Sequence, residues 1–215
     1  MFVRIAGLVG KVDKMENICR ITAERAVKEW YGYQNPVELE LACRTVRDHK
    51  PKVIVEIGIA FAASLAAWKI TANPDIAIGI DPFTIQGDEA KLASRDKLIK
   101  EYDLKTIEHI SRLEVAHEKL KKLLDGRKID FLFIDGNHGY DDARHDFQEY
   151  RKYLAPNALI GFHDVYYCDT LVDAGSTCCL YWQRMKRDYE RYYEFYNASS
   201  MGIGIIQLDS LRKVK

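Results

Sequence analysis

The sequence has no surplus of charge of either sign: Lys and Arg number 32, and so do Asp and Glu. A surface for nucleic acid or anionic membrane draws on a basic excess or a basic stripe. The densest basic stretch, Arg184 to Arg191, alternates with acids in the manner of a solvated helix face. Long hydrophobic runs are lacking too, and none approaches the roughly 18 consecutive apolar residues of a membrane span. The stretch from Met1 to Gly10 carries Arg4 inside a short apolar run, without a basic leader or cleavage site, so a cytoplasmic location is expected. Phosphate cradles of the G-x-x-x-x-G-K and G-x-G-x-x-G kinds are missing, which argues against nucleotidase and NAD chemistry. The five cysteines, Cys19, Cys43, Cys168, Cys178 and Cys179, include no C-x-x-C pair and leave an odd count. Reduced thiols are the expectation. Adjacent Cys178 and Cys179 read as packing rather than soft-metal ligands.

No repeat, low-complexity tract or flexible linker divides the 215 residues, a length that suits one core. Residues 1–50 read as an N-terminal helical segment packed on an α/β domain at 51–215. Residues 13 to 48 are polar and helix-favouring, with a break at Asn35-Pro36 that predicts two helices. Short apolar runs of the kind found in fully buried parallel strands then recur at 53–57, 76–80, 106–110, 130–134 and 158–162. Between them lie helical stripes. Leu113, Ala116, Leu120 and Leu123 share one face, with Ser111 and Glu114 as a capping box. Tyr140, Ala143, Phe147, Tyr150 and Leu154 repeat the spacing, and Pro156 is read as the stop. A helix near 176–189, an aromatic run at 192–196 and an apolar run at 202–208 follow, the last two as a closing strand pair. Tyr181 to Tyr196 could wall a pocket, but core packing of a late helix and strand is the better reading. Alternation of this kind predicts a doubly wound, mainly parallel sheet, with ligands beyond the carboxyl ends of its strands.

The first strand, closing on Glu56 and Ile57, gives way at Gly58 to Ala60, Ala62, Ala63 and Ser64, a tight turn of small residues opening a helix. Gly58 permits close backbone approach, and helix-start amides suit an anionic group such as an amino-acid carboxylate. Asp81 ends the second strand, 23 positions after Gly58. An acid at that distance can accept from both hydroxyls of a ribose, or can simply cap the turn at Pro82. The densest chemistry follows the fourth and fifth strands: Asp135, Asn137 and His138 after one, His163 and Asp164 at the other. Neighbouring parallel strands lie about 4.8 Å apart, so two carboxylates and two imidazoles can converge. His49, His109, His117 and His145 stand singly and receive no role.

From Gln34 to about Leu208 the chain resembles the class I S-adenosylmethionine-dependent methyltransferases, in particular the small-domain group of macrocin O-methyltransferase and cephalosporin hydroxylase. The likeness is carried by Val-Glu-Ile-Gly at 55–58, Gly-Ile-Asp at 79–81 and Ile-Asp-Gly-Asn-His-Gly-Tyr at 134–140. It extends through Asp146, Tyr153-Leu154 and Phe-His-Asp-Val at 162–165. The resemblance implies a Rossmann-like, seven-stranded sheet whose last strand is antiparallel. It also implies a donor site for S-adenosylmethionine at Glu56, Gly58, Ser64, Asp81, Ser111 and Asp135. Finally, it implies a divalent metal held by Asp135 and an acidic pair after the fifth strand, with His138 as base. The chain departs from that pattern in two places. Ala62 stands where a second glycine is usual, and would crowd the methionine tail if its methyl faced the ligand. His163-Asp164 stands where the metal-binding relatives have two acids, so a site of Asp135, His163 and Asp164 tilts from magnesium toward a transition metal.

The function expected is methyl transfer from S-adenosylmethionine to a hydroxyl of a small molecule, such as a sugar or secondary metabolite. In this reading His138, Asp135 and His163 are catalytic, His163 being the reserve base, and neither nucleic acid nor membrane is a partner. Two rivals use the same residues: a metal-dependent hydrolase or oxygenase, and a non-catalytic binding protein with a degraded donor loop. The acceptor's identity and the formation of a homo-oligomer are left open by the sequence.

Overall fold

The computed structural model describes residues 6–85, 87–166, 169, 172, 175–196 and 201–211, with side chains from residue 17 onward. Cys168 lies outside these residues. Helices α1 (Ala6–Lys28) and α2 (Pro36–His49) come first. Asn35 starts α2 by accepting the Val37 N–H at 2.9 Å, while Pro36 occupies a first-turn position where its missing N–H costs nothing. Strands and helices then alternate: β1 (Val53–Ile57), α3 (Ala63–Ala72), β2 (Ile76–Ile80), α4 (Glu89–Glu101), β3 (Lys105–Ile107), α5 (Glu114–Leu124), β4 (Ile129–Ile134), α6 (Tyr140–Tyr150) and β5 (Leu154–His163). Helix α7 (Cys178–Asp188) and strands β6 (Tyr192–Phe195) and β7 (Ile203–Gln207) complete the order.

The seven strands form one sheet in the order β3-β2-β1-β4-β5-β7-β6. Only β7 runs against the others, pairing antiparallel with both β5 and β6. Successive side chains alternate between its two faces. On one face Val53, Val55, Ile57, Leu132 and Ile134 pack with Ala116, Leu120, Phe147, Tyr181 and Trp182 of α5 to α7. On the other, Ile54, Phe131, Phe133 and Ile205 pack with Ala23, Leu39, Leu65 and Trp68 of α1 to α3. Every residue of β1 is buried, as a strand covered on both faces should be. The chain order reverses between β1 and β4, and at such a switch point a crevice opens beyond the carboxyl ends.

Three local expectations change. Strand β3 ends at Ile107 rather than residue 110, because the His109 N–H turns back to the Ile107 carbonyl at 2.9 Å. Helix α6 stops at Tyr150 and a single 3₁₀ turn, Arg151–Tyr153, leads straight into β5 at Leu154, so Pro156 lies inside the strand's irregular start. The capping box of Ser111 and Glu114 does not form. Helix α5 begins at Glu114, and the Ser111 hydroxyl donates instead to Asp146 Oδ1 at 2.8 Å.

Candidate active site

Beyond the β1/β4 switch point lies a cavity of about 560 Å³, in the range of a site for a small ligand. Gly58, Ser64, Asp81, Ser111, Asp135, His138, His163 and Asp164, all singled out in the sequence, line it. Glu56 does not line it: the residue is fully buried within β1, where the Ser64 hydroxyl donates to its Oε1.

The ladder continues one step past the strands and sets the spacing. The Gly58 N–H donates to Ile80 O at 2.8 Å, and the Asp135 N–H to Ile57 O at 2.8 Å. Gly58 adopts φ +81°, and a Cβ there would lie 2.1 Å from the Asp135 carbonyl oxygen. Only glycine fits. Asp81 Oδ2 accepts the N–H groups of Ile59 and Ala60 at 2.9 and 3.0 Å, and its Oδ1 accepts Phe83 N–H at 2.6 Å. The turn-capping alternative for Asp81 is therefore met. A carboxylate has about four lone-pair directions, however, and three backbone bonds leave one for a ligand hydroxyl. Ala60 and Ala62 are held left-handed, at φ +44° and +62°. The Ala62 methyl is fully buried among the core residues of α1 to α3 and does not line the cavity.

On the opposite wall the polar groups form a chain. His138 Nδ1 meets Asp164 Oδ2, while Asp164 Oδ1 lies 2.8 Å from His163 Nδ1. The same His163 nitrogen is 3.2 Å from Asp135 Oδ1, and Asp135 Oδ2 accepts the Gln34 amide at 2.9 Å. Asp164 holds φ +58°, a left-handed geometry that Asp tolerates better than most residues. The Asp164 carboxylate against its ring raises the His138 pKa above the ordinary imidazole range, against the opposing pull of burial. Burial alone would lower His163, but Asp135 and Asp164 beside it hold it well above that range. Burial likewise opposes the charge on Asp164, yet the two imidazoles keep its pKa well below the usual carboxylate value. The Asp146 carboxyl, on the cavity wall near Ser111, is pushed up by burial.

Asp135, His163 and Asp164 thus come together, paired with one another and with His138 and Gln34. Among the described residues no group of three or more His, Cys, Asp or Glu side chains is arranged to hold a metal ion. The reason is local: Asp164 faces an imidazole with each oxygen, and Asp135 is taken up by His163 and Gln34. Cys178 and Cys179 are buried packing residues, and Tyr181, Trp182 and Tyr189 belong to the core rather than to the cavity. No described helix is long and apolar enough to cross a membrane.

One wall was not foreseen from the sequence. Tyr31, Gly32, Tyr33 and Gln34, between α1 and α2, line the cavity beside Phe61 of the β1–α3 turn. The Tyr31 and Tyr33 rings lie 6.5 and 6.0 Å from the Phe61 ring. The available signal was two tyrosines flanking a glycine immediately before a helix cap.

Residues 55–165 match the family model of a methyltransferase domain, just over half of the chain. An uncharacterised protein of Acanthamoeba polyphaga mimivirus is 34% identical over 113 residues, 51% of this chain and 50% of that relative. The chain therefore spans about half the length of the curated relative it matches. Among solved structures, a Podospora anserina methyltransferase bound to S-adenosylhomocysteine aligns over 96% of this chain and 97% of its own, with a TM-score of 0.55 at 17% identity. The Streptomyces achromogenes O-methyltransferase TomG, in complex with S-adenosylmethionine, aligns over 88% of each chain with a TM-score of 0.58, also at 17% identity. A mycinamycin-pathway methyltransferase, MycE, solved with Mg, S-adenosylhomocysteine and mycinamycin VI, gives 0.57 at 16% identity over 87% of this chain and 53% of its own. At these identities the likeness is one of fold.

Proposed function

Because the chain belongs to this methyltransferase-domain family, we propose that it transfers a methyl group from S-adenosylmethionine to a hydroxyl of a small molecule. The observation that carries the reading is the turn after β1. Gly58 brings the backbone against β4, and Asp81 ties the following amides while keeping one acceptor direction free. A cradle of bare backbone and one acid suits a ribose joined to an amino acid better than it suits a phosphate. When bound, S-adenosylmethionine supplies an electrophilic sulfonium methyl.

The remaining work falls to the residues of the opposite wall. They must hold the acceptor oxygen in line with the methyl and take its proton. His138 directs Nδ1 at Asp164, which leaves Nε2 as the nitrogen that receives the proton. Asp164 orients the ring and stabilises the imidazolium that results. His163, enclosed between Asp135 and Asp164, is favoured in its charged form and is read as a fixed charge rather than as the base. The buried position of the Ala62 methyl removes the main support for a degraded donor loop.

Calorimetry with S-adenosylhomocysteine tests the reading. Micromolar binding is expected, roughly −7 to −8 kcal/mol, and Asp81→Ala should lose most of the heat. Absence of binding by the wild type at millimolar ligand would end it.

A further inference from the structure

The segment from Tyr31 to Gln34 is held in place with more care than a connection between two helices needs. Tyr31 is left-handed at φ +60°, a costly conformation for a bulky side chain. The Gly32 N–H donates to Ala26 O at 2.8 Å, and a Cβ on Gly32 would lie 2.9 Å from that oxygen and 3.1 Å from the Ala63 Cβ. The loop is seated on α1 and on the first turn of α3 together. Asn35 and Pro36 then start α2 at once. These constraints deliver one side chain, Gln34, which is only 7% exposed and reaches a residue 101 positions away.

We propose that Gln34 is a positioning residue for the Asp135 carboxylate and, through it, for His163. A carboxylate accepts hydrogen bonds, so the amide presents its nitrogen, and Nε2 binds Oδ2 at 2.9 Å. With that oxygen pinned, Oδ1 lies at ion-pair distance, 3.2 Å, from His163 Nδ1, the nitrogen that Asp164 Oδ1 approaches at 2.8 Å. The amide carries no net charge, so it steers the carboxylate without competing with the imidazole as a counter-ion. An N-terminal loop thereby fixes the near end of the chain Asp135–His163–Asp164–His138, whose far end carries the base. The importance of that alignment for catalysis rests on the methyl-transfer reading. The alignment itself is a property of the protein alone.

The experiment is proton–nitrogen NMR of histidine-labelled full-length protein without ligand. The ring Nδ1–H of His163 is assigned with His163→Gln. Three variants divide the roles: Gln34→Met keeps volume and loses the donor, Gln34→Glu keeps shape and opposes Asp135 with a second carboxylate, and Gln34→Ala removes both. A protected His163 Nδ1–H signal is expected in the wild type. It should move or be lost in Met and Ala alike and change most in Glu, while the ring signals of His49 and His117 stay put. An unmoved signal in Met and Glu, or a change confined to Ala, would make Gln34 a space-filler and overturn the proposal. So would unfolding of the Met variant, or no protected signal in the wild type. Failure of the wild type to bind S-adenosylhomocysteine would count against the methyl-transfer reading and leave the ring signal as the judge of Gln34.

Discussion

In the proposed transfer His138 must be neutral before it can take a proton, and the carboxylate that aims it also makes it harder to neutralise. The contact with Asp164 raises its pKa, so the basic form appears later on the pH scale than for a free imidazole. The rising limb of the rate profile should therefore lie above about pH 6.5, the unperturbed value. His138→Ala should lower turnover on a verified acceptor by roughly 10²–10⁴-fold, the worth of a positioned base, and should abolish that limb. Donor affinity should stay near the wild-type value. His163→Ala is the instructive companion, because a fixed charge and a base fail differently: loss of the charge lowers the rate while the limb survives. A His138 variant with near-normal turnover beside a His163 variant without the limb would exchange the two roles.

The turn between β1 and α3 shows how an element can carry strain where function needs a shape. Ala60 and Ala62 both occupy the left-handed region, at about 1–2 kcal/mol each for a residue with a Cβ. Glycine relieves that cost, but the two sites differ in what the methyl does. Ala62 is fully buried; deleting its methyl forfeits about 0.8 kcal/mol of apolar burial and glycine's greater unfolded-state freedom costs about 0.4–1 kcal/mol more, so Ala62→Gly should be nearly neutral. Ala60 is partly exposed on the cavity wall, and Ala60→Gly should stabilise by about 1 kcal/mol, read as a higher urea midpoint. Equal effects at both sites would contradict this division. Elements of this kind were legible where the signal is local. Val53–Ile57 and Ile76–Ile80 appear with the expected limits because a continuous apolar run has only one use inside a covered sheet. Asp135, His138, His163 and Asp164 were legible for the same reason, since polar residues that close a buried run are carried to the strand ends. Legibility failed where a distant partner decides. Ser111 lost its capping role to Asp146, 35 positions away, and Gln34 acquired its role from Asp135, 101 positions away. No pattern within a helix-length window contains either partner. The pairing of Asp164 with two imidazoles was likewise out of reach, because identity alone does not tell which neighbours will claim the same carboxylate.

At the scale of the whole molecule, the central strand β1 holds an acid where the surrounding layers are apolar. Glu56 pairs in register with Gly79 of β2 and Phe133 of β4, and it is fully buried. Burial pushes its carboxyl well above the usual range. The Ser64 hydroxyl opposes the shift, and the nearby Asp135 and Asp81 add to it. A carboxyl whose folded pKa is raised gives its full contribution to stability below the unfolded value, about 4.5, and loses it as the pH rises through the folded value. The unfolded chain gives up this proton first, so each step upward in that window favours unfolding. Other groups titrate as well, which makes the absolute stability curve a poor witness and a difference curve a good one. Glu56→Gln keeps the shape and removes the titration. The stability of wild type minus variant, from urea unfolding, should fall from about pH 4.5 with a limiting slope of about 1.4 kcal/mol per pH unit. It should level off once the buried carboxyl ionises. Because β1 is bonded on both sides at the centre of the sheet, the loss should appear in global unfolding and not as fraying of one edge. A difference that stays constant from pH 4.5 to 8 would mean that Glu56 titrates alike in both states. The centre of the sheet would then be open to water in a way that its complete burial contradicts.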